Sequence, residues 1–366
     1  MSKQISVYVA SKNISPSGYY RVLQYFKDIP EKILIHSQIP NNLYRWRIKQ
    51  TNLMKKLTNP FVYLLISFHI LCCLIKDLWC IKDGTIIISK NIVPYYLPIC
   101  HCFLLRKLSG KNRIIWDFDD NIIDKGCKKE FSLLTQISDK IIVISEFLKS
   151  LIDERYRYKV ELLPTTDGDM CCINTKQINI DRTKSFDAKI ILIWVGTSVN
   201  LSFLKRIIPE LDNCAASLYK MNKQLILKVV CNNPLNADTC FLKIENVIWS
   251  RNVAIQELAQ AHIGIMPLVE NRFTMGKGGF KLIQYLAIGL PVIASAVGFN
   301  KQVVSEDCGY LIDDATDLTG WSICIKELND PAKYKKMADN ALSRYYTHFS
   351  YFENKKKWYE WCGIHF

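Results

Sequence analysis

The segment from Gly264 to Gly298 constrains this chain more than any other. It strings together an apolar run ending at Pro267, a glycine-broken loop, an amphipathic stretch and a second apolar run. That order places a cationic, backbone-rich loop at the end of a parallel strand and at a helix N-terminus. Such a place suits a phosphorylated ligand, because unpaired N–H groups and the helix dipole both favour negative charge. In the loop Gly276-Lys277-Gly278-Gly279 the glycines tolerate the positive φ that a backbone cradle needs. Lys277 and Lys281 add two positive charges. From Phe280 to Ala287 the apolar spacing predicts a helix, stopped by Gly289 and Pro291. Residues 291–295 then read as a buried strand.

The rest of the chain repeats this strand–helix alternation twice. In the first half, strands are predicted at Ile5–Ala10, Ile33–His36, Thr85–Ser89, Arg113–Asp117, Lys140–Ser145 and Val160–Pro164. A turn at residues 15–18 leads into a helix from about Tyr19 to Lys27, and Ser145 reads as the N-cap of another. Residues 173–189 are polar and read as a linker. Alternation resumes with a strand at Ile190–Val195, a helix at Leu201–Tyr219, strands at Leu225–Val230 and Val247–Trp249, a helix at Ala254–Gln260 and a strand at Ile263–Met266. Continuous apolar strands alternating with helices predict an α/β architecture of two doubly wound, parallel-sheet domains. The expected divisions are 1–180, 181–345 and a final helical segment, 346–366. In open sheets of this kind, ligands bind beyond the strand C-terminal ends.

The chain has 366 residues, enough for two domains with their own cores. Its 14 cysteines show no CxxC pairing, and Cys100-His101-Cys102 is too tight for a zinc half-site, so reduced cysteines are expected. Met1–Gln4 leads straight into the first strand with no leader-like run, which reads as cytoplasmic. Net charge is +14 and uneven: residues 1–180 hold 26 Lys and Arg against 16 Asp and Glu, and residues 181–366 hold 22 against 18. Residues 41–60 carry Arg45, Arg47, Lys49, Lys55 and Lys56 with no acid, interleaved with Leu43, Trp46, Ile48, Leu53 and Leu57. The apolar run Phe61–Ile75 follows and, at about 15 residues, is short of the ~20 a spanning helix needs. Residues 41–75 therefore suit either peripheral contact with an anionic membrane, at the inner face of the cytoplasmic membrane, or a solvated helix face over core leucines. No helix-turn-helix, RNP-like or zinc-finger pattern supports nucleic acid. No GxSxG or Walker-type motif is present, so neither a hydrolase triad nor a P-loop is expected.

Three further constellations carry chemistry. Asp117, Asp119 and Asp120 fall within four residues at a strand end, where they repel one another unless solvated or given a cationic partner. Ser17-Gly18-Tyr19-Tyr20-Arg21 sits at the first strand-to-helix turn, a usual phosphate position, and Arg21 can grip an anion with two donors. Gly196-Thr197-Ser198 follows the first strand of the second half.

Together, Trp194-Val195-Gly196-Thr197-Ser198, His262 to Leu268 and Gly276 to Ser295 resemble the donor-binding segments of GT-B glycosyltransferases. The resemblance is to glycosyltransferase family 4 and, within it, a bacterial surface-polysaccharide subgroup. It is dense over residues 190–345 and thinner over 1–180. It implies a GT-B fold, with two Rossmann-like domains facing each other across a cleft and a last helix crossing back to the first domain through Tyr351, Phe352, Trp358, Tyr359 and Trp361. It also implies a retaining transfer of sugar from a nucleotide-diphosphate donor to a glycan or lipid-linked acceptor hydroxyl, as in capsule or lipopolysaccharide assembly. No metal or other cofactor is expected, although the carboxylate turn has the chemistry for Mg²⁺.

Under this resemblance Lys277, Lys281, Gly278, Gly279 and the turn Gly196-Thr197-Ser198 hold the diphosphate. Gly18 and Arg21 meet a phosphate, while Asp119 or Asp120 contacts sugar or acceptor hydroxyls. Arg251 and Asn300 lie at turns beside the nucleoside and diphosphate. Many family members have two glutamates where this chain has Gly276 and Gln284. Gln284 can still bond a ribose, and Glu270 or Asn271 is left to take the sugar contact. The alternatives are a GT-B-fold sugar-nucleotide epimerase, whose paired acids and histidines are not found, and a binding scaffold without turnover.

Overall fold

The computed structural model describes residues 4–12, 16–94, 96–123, 127–313 and 317–364, with side chains for all of these except residues 31, 48, 52 and 55. Ser15 of the predicted turn and the Lys55 side chain of the basic run thus lie outside the described residues. The chain divides into two units, residues 1–165 with 352–366, and residues 166–351. All fourteen cysteines are free.

The first unit is a six-stranded parallel sheet ordered β2-β1-β3-β4-β5-β6. Its strands are β1 (Ile5–Val9), β2 (Ile33–Ser37), β3 (Thr85–Ser89), β4 (Arg113–Asp117), β5 (Lys140–Val143) and β6 (Val160–Leu162). Strand order reverses between β1 and β3, so the crevice beyond their C-terminal ends is the topological switch point. Runs such as Ile86-Ile87-Ile88 are wholly buried because helices cover both faces. The helix predicted at 19–27 is shorter, Pro16–Arg21, followed by a 3₁₀ turn at Leu23–Phe26. Ser145 is an N-cap, its Oγ accepting from Leu148 N at 3.3 Å.

The apolar run at 61–75 belongs to one helix, Asn52–Cys80, twice the length read from sequence and with Pro60 inside it. Apolarity alone marks off Phe61–Ile75, but the helix extends through Lys56 and Asp77. By length and composition residues 56–80 could cross a membrane. One face of the helix is nevertheless committed to the sheet: Val62, Ile66, Ile70 and Leu74 are buried in the unit's core. Buried Asp77 accepts hydrogen bonds from Ser6 Oγ (2.5 Å) and Tyr8 OH (2.7 Å) and pairs with His36 Nε2 (2.8 Å). Burial alone would lower the pKa of His36, but the bond to Asp77 outweighs it and holds the imidazole charged, at about 9.

The helix Tyr351–Cys362 belongs to this unit from Phe352 onward. Trp358 lies 6.3 Å from Tyr25 and 6.0 Å from Phe26 between ring centroids, Tyr359 stacks on Phe26, and Arg113 donates to Trp361 O at 2.8 Å.

The second unit has the strand order β12-β11-β10-β7-β8-β9, all parallel. Its strands are β7 (Lys189–Gly196), β8 (Gln224–Cys231), β9 (Lys243–Ile248), β10 (Ile263–Met266), β11 (Val292–Ser295) and β12 (Gly309–Ile312). This is the order of dinucleotide-binding folds, with the switch point between β7 and β10. The stretch read as a linker is the helix Thr175–Phe186, anchored where buried Arg182 donates to the carbonyls of Leu258 (2.8 Å) and Ile288 (2.7 Å). Its polar outer face hid it, and with this helix the second unit begins at residue 166 rather than 181.

Candidate functional site

In the second unit the helix Phe280–Ala287 is seated over the switch point by a glycine. A Cβ on Gly264 of β10 would fall inside the Tyr285 ring, so only glycine lets the helix lie this close to the strand. Tyr285 OH in turn accepts from Val195 N at 3.2 Å. Gly279, at φ +59°, is the residue through which the loop turns into this helix.

That seat brings the predicted phosphate residues together. Lys281 reaches back over β7, its Nζ 5.2 Å from the Trp194 ring centroid. A Cβ on Gly196 would lie 2.5 Å from the Trp194 ring and 3.0 Å from Lys281 Cε, so the glycine makes room first for the indole and then for the lysine over it. Lys277 Nζ donates to Asn200 Oδ1 (3.0 Å), and Asn200 Nδ2 donates to Thr197 Oγ1 (3.1 Å). Ser198 N donates to Asn232 Oδ1 (2.9 Å), and Asn232 Nδ2 donates back to Ser198 Oγ (3.1 Å). Gly278 lies in the loop between Lys277 and Gly279.

Lys281 has no carboxylate partner among the described residues. Burial first, and then the charge of Lys277, pull its pKa down to about 7. A cation held without a counterion at a strand-end crevice is matched to an anionic ligand.

Gln284, one turn further along, is buried and donates through Nε2 to Asp167 Oδ2 at 2.8 Å. Burial raises Asp167 to about 6, against the lowering effect of the Gln284 bond. Arg251, first residue of the helix Arg251–Gln260, lies 3.7 Å from the Asp169 carboxylate. A carboxylate pair thus stands beside two predicted nucleoside residues.

Two predicted contacts are taken up by the fold. Asn271 caps the short helix Arg272–Met275: its Oδ1 accepts from Phe273 N and Thr274 N, both at 2.9 Å. Glu270 beside it is exposed and keeps its carboxylate in solvent. Asn300 is 1% exposed with Nδ2 bonded to Ser295 O at 3.0 Å, so it shapes the turn and its amide nitrogen is not offered to a ligand.

In the first unit Arg21 is also a correction. It is 1% exposed, ion-paired with Asp117, and bonded to Leu163 O (2.5 Å) and Thr165 Oγ1 (3.2 Å). Nε, Nη1 and Nη2 are all bonded internally, so it braces the sheet instead of reaching a phosphate. Gly18 packs against Val9, where an added Cβ would lie 3.0 Å from Val9 Cβ. Its absent side chain lets the first helix approach β1.

The other two carboxylates of the turn share a cation. Lys90 Nζ lies 2.8 Å from Asp119 Oδ1 and 2.6 Å from Asp120 Oδ2, and Ser17 Oγ donates to Asp119 at 3.1 Å. Lys90 stands just past β3 at φ +63°. Its backbone is locked there: its N donates to Asp117 O (2.7 Å) and its O accepts from Trp116 Nε1 (2.8 Å). Burial depresses the lysine, but Asp119 and Asp120 raise it further, so it stays charged. Asp119 is held ionised: its burial penalty is outweighed by Lys90 and then Arg21. Asp120 is half exposed and is the carboxylate that meets solvent. Each of these carboxylates is paired to a protein cation, and among the described residues no group of three or more His, Cys, Asp or Glu is placed to hold a metal ion.

Lys90, Asp167, Asn200 and Asn232 join these sites without belonging to any of the sequence motifs above. Lys90 carried a signal, a basic residue immediately after an apolar strand. The others carry none, since the residues that tie them to the site (Gln284 for Asp167, Lys277 for Asn200, Ser198 for Asn232) are more than 30 residues distant.

Both sites lie at strand C-terminal ends beside a switch point, and the second carries the phosphate-type loop. Residues 190–328 match the family described as glycosyl transferases group 1. This domain spans β7 to the helix Thr319–Glu327 and contains Gly196, Lys277, Lys281 and Gln284. No curated relative matches the chain in sequence. Among solved structures the chain is similar to sucrose-phosphate synthase from Thermosynechococcus elongatus, at 15% identity, TM-score 0.59 and 98% coverage of both chains. It is also similar to Anabaena HepE in complex with UDP and glucose, at 10% identity, TM-score 0.64 and 98% coverage of both. A glycosyltransferase from Rickettsia africae matches at 14% identity, TM-score 0.61 and 98% coverage of both. The fold is GT-B.

Proposed function

We propose that this protein is a retaining glycosyltransferase that takes a nucleotide-diphosphate sugar as donor and a hydroxyl of a lipid-linked glycan as acceptor, in bacterial surface-polysaccharide synthesis. The observation that carries the reading is Lys281. Its pKa is depressed, it has no carboxylate partner among the described residues, and it is set on Trp194 beside Gly196 in a group 1 domain. As the bond from sugar to diphosphate breaks, charge builds on the leaving phosphate, and fixed cations and N–H donors stabilise that state more than the ground state. Lys281, Lys277 and the amides of 276–280 supply them. The HepE structure, which holds UDP and glucose, supports a nucleotide sugar as the donor class.

In the first unit Asp120, half exposed and oriented by Lys90, is the group offered to an acceptor hydroxyl. The retaining course, without an enzymic nucleophile, fits a site whose side chains are cations and amides. Protein cations take the part that a metal would otherwise play. The test is a panel of nucleoside diphosphates in thermal unfolding. At a hundredfold excess over its dissociation constant the cognate one stabilises by about 2.7 kcal/mol. A panel that shifts nothing, with the folded protein intact, overturns the reading.

A further inference from the structure

The Asn52–Cys80 helix is apolar on two faces, and only one of them is packed. Leu53, Leu57, Phe61, Leu64, Phe68, Ile75 and Trp79 recur at helical spacing along the other, with Leu65 beside them. Phe61 is 61% exposed, Leu64 64%, Phe68 68% and Trp79 79%. From Leu53 to Trp79 this stripe runs for about 39 Å at 1.5 Å per residue. A continuous apolar face of that length marks a docking surface. The neighbouring helix Ile99–Ser109, tied to it by His101 Nε2 to Ser67 O at 2.9 Å, also leaves Ile99 and Phe103 exposed.

We propose that this stripe lies in the plane of an anionic lipid surface, with Phe61, Leu64, Phe68 and Trp79 dipping into the acyl boundary and the flanking cations on the headgroups. The charge pattern selects the occupant. Residues 41–76 hold Arg45, Arg47, Lys49, Lys55, Lys56 and Lys76 and no acid. Two copies of the chain meeting through this face would bring like charges together, whereas an anionic bilayer complements them.

The helix cannot cross the bilayer, because Val62, Ile66, Ile70 and Leu74 are packed in the sheet's core and Asp77 is held by Ser6, Tyr8 and His36. It therefore lies flat. The surface extends past residue 75 to Trp79. It is independent of donor chemistry, so the protein can fail this test and still bind a nucleotide.

The full chain is floated with vesicles of phosphatidylcholine alone or mixed with phosphatidylglycerol. Retention on the mixed vesicles only, with a blue shift of tryptophan emission that Trp79→Phe diminishes, is the expected result. Joint Phe61→Ser, Leu64→Ser and Phe68→Ser lowers partitioning by more than about a hundredfold. Arg45→Gln with Lys49→Gln lowers it about thirtyfold, with the thermal midpoint unchanged. No flotation at low salt, or a light-scattering dimer that the serine variants dissolve, overturns the proposal.

Discussion

Gln284 turns its amide nitrogen toward Asp167, 2.8 Å away, and its Oε1 makes no hydrogen bond among the described residues. The carboxylate fixes which end of the amide is left over, and that end is an acceptor. Under the donor reading it faces a ribose hydroxyl. Asp167→Ala frees the amide to flip, and nucleoside diphosphate affinity is expected to drop about tenfold. Binding of the 2′,3′-dideoxy analogue should not change. The pH course follows from the raised carboxyl, which is ionised above about 6. As pH falls through 6 the acceptor is lost and affinity declines, by calorimetry, in wild type and not in Asp167→Ala.

Lys281 titrates in the opposite sense. Near pH 7 it is part neutral, and a diphosphate beside it raises its pKa, so binding takes up a proton. Affinity should fall as pH rises from 7 to 9, and binding enthalpy should depend on the ionisation enthalpy of the buffer. Lys281→Met abolishes both effects and costs about ten- to a hundredfold in affinity.

Lys90 is predicted to matter to turnover without touching the donor. Lys90→Met leaves Asp119 and Asp120 facing each other unneutralised, and the acidic turn should shift. The expected result is a fall of about tenfold or more in kcat, with nucleoside diphosphate affinity within twofold of wild type. Lys90→Gly relieves the left-handed backbone, worth roughly 1–2 kcal/mol, yet loses the same cation. Its activity should fall as far as that of the methionine variant, while its thermal midpoint falls less.

Gly264→Ala forces a methyl group into the Tyr285 ring. Overpacking of this kind costs about 1–3 kcal/mol. Because the displaced helix carries Lys281, ligand binding should weaken along with the thermal midpoint. Tyr285→Leu in the same chain makes room and should recover part of the stability.

The second unit is largely legible in the sequence because its signals are local. Gly276 to Gly279, the helix Phe280–Ala287 and the strand at 263–266 lie where apolar period and turn residues put them. The misread parts depend on distant partners. Helix Thr175–Phe186 is polar on its outside, and its buried anchor, Arg182, is held chiefly by carbonyls more than 70 residues away. Arg21 looked like a phosphate ligand because nothing nearby announces Asp117. Gln284 was placed correctly on its helix, but Asp167, 117 residues earlier, was out of reach of any local pattern.

The last fifteen residues belong with the first 165, while residues 166–351 are one uninterrupted piece. On the ribosome the second unit is therefore whole before the first one is. Until Trp358 emerges, the aromatic pocket of Tyr25 and Phe26 waits unfilled, so a stop codon near residue 350 would harm the part of the protein made first.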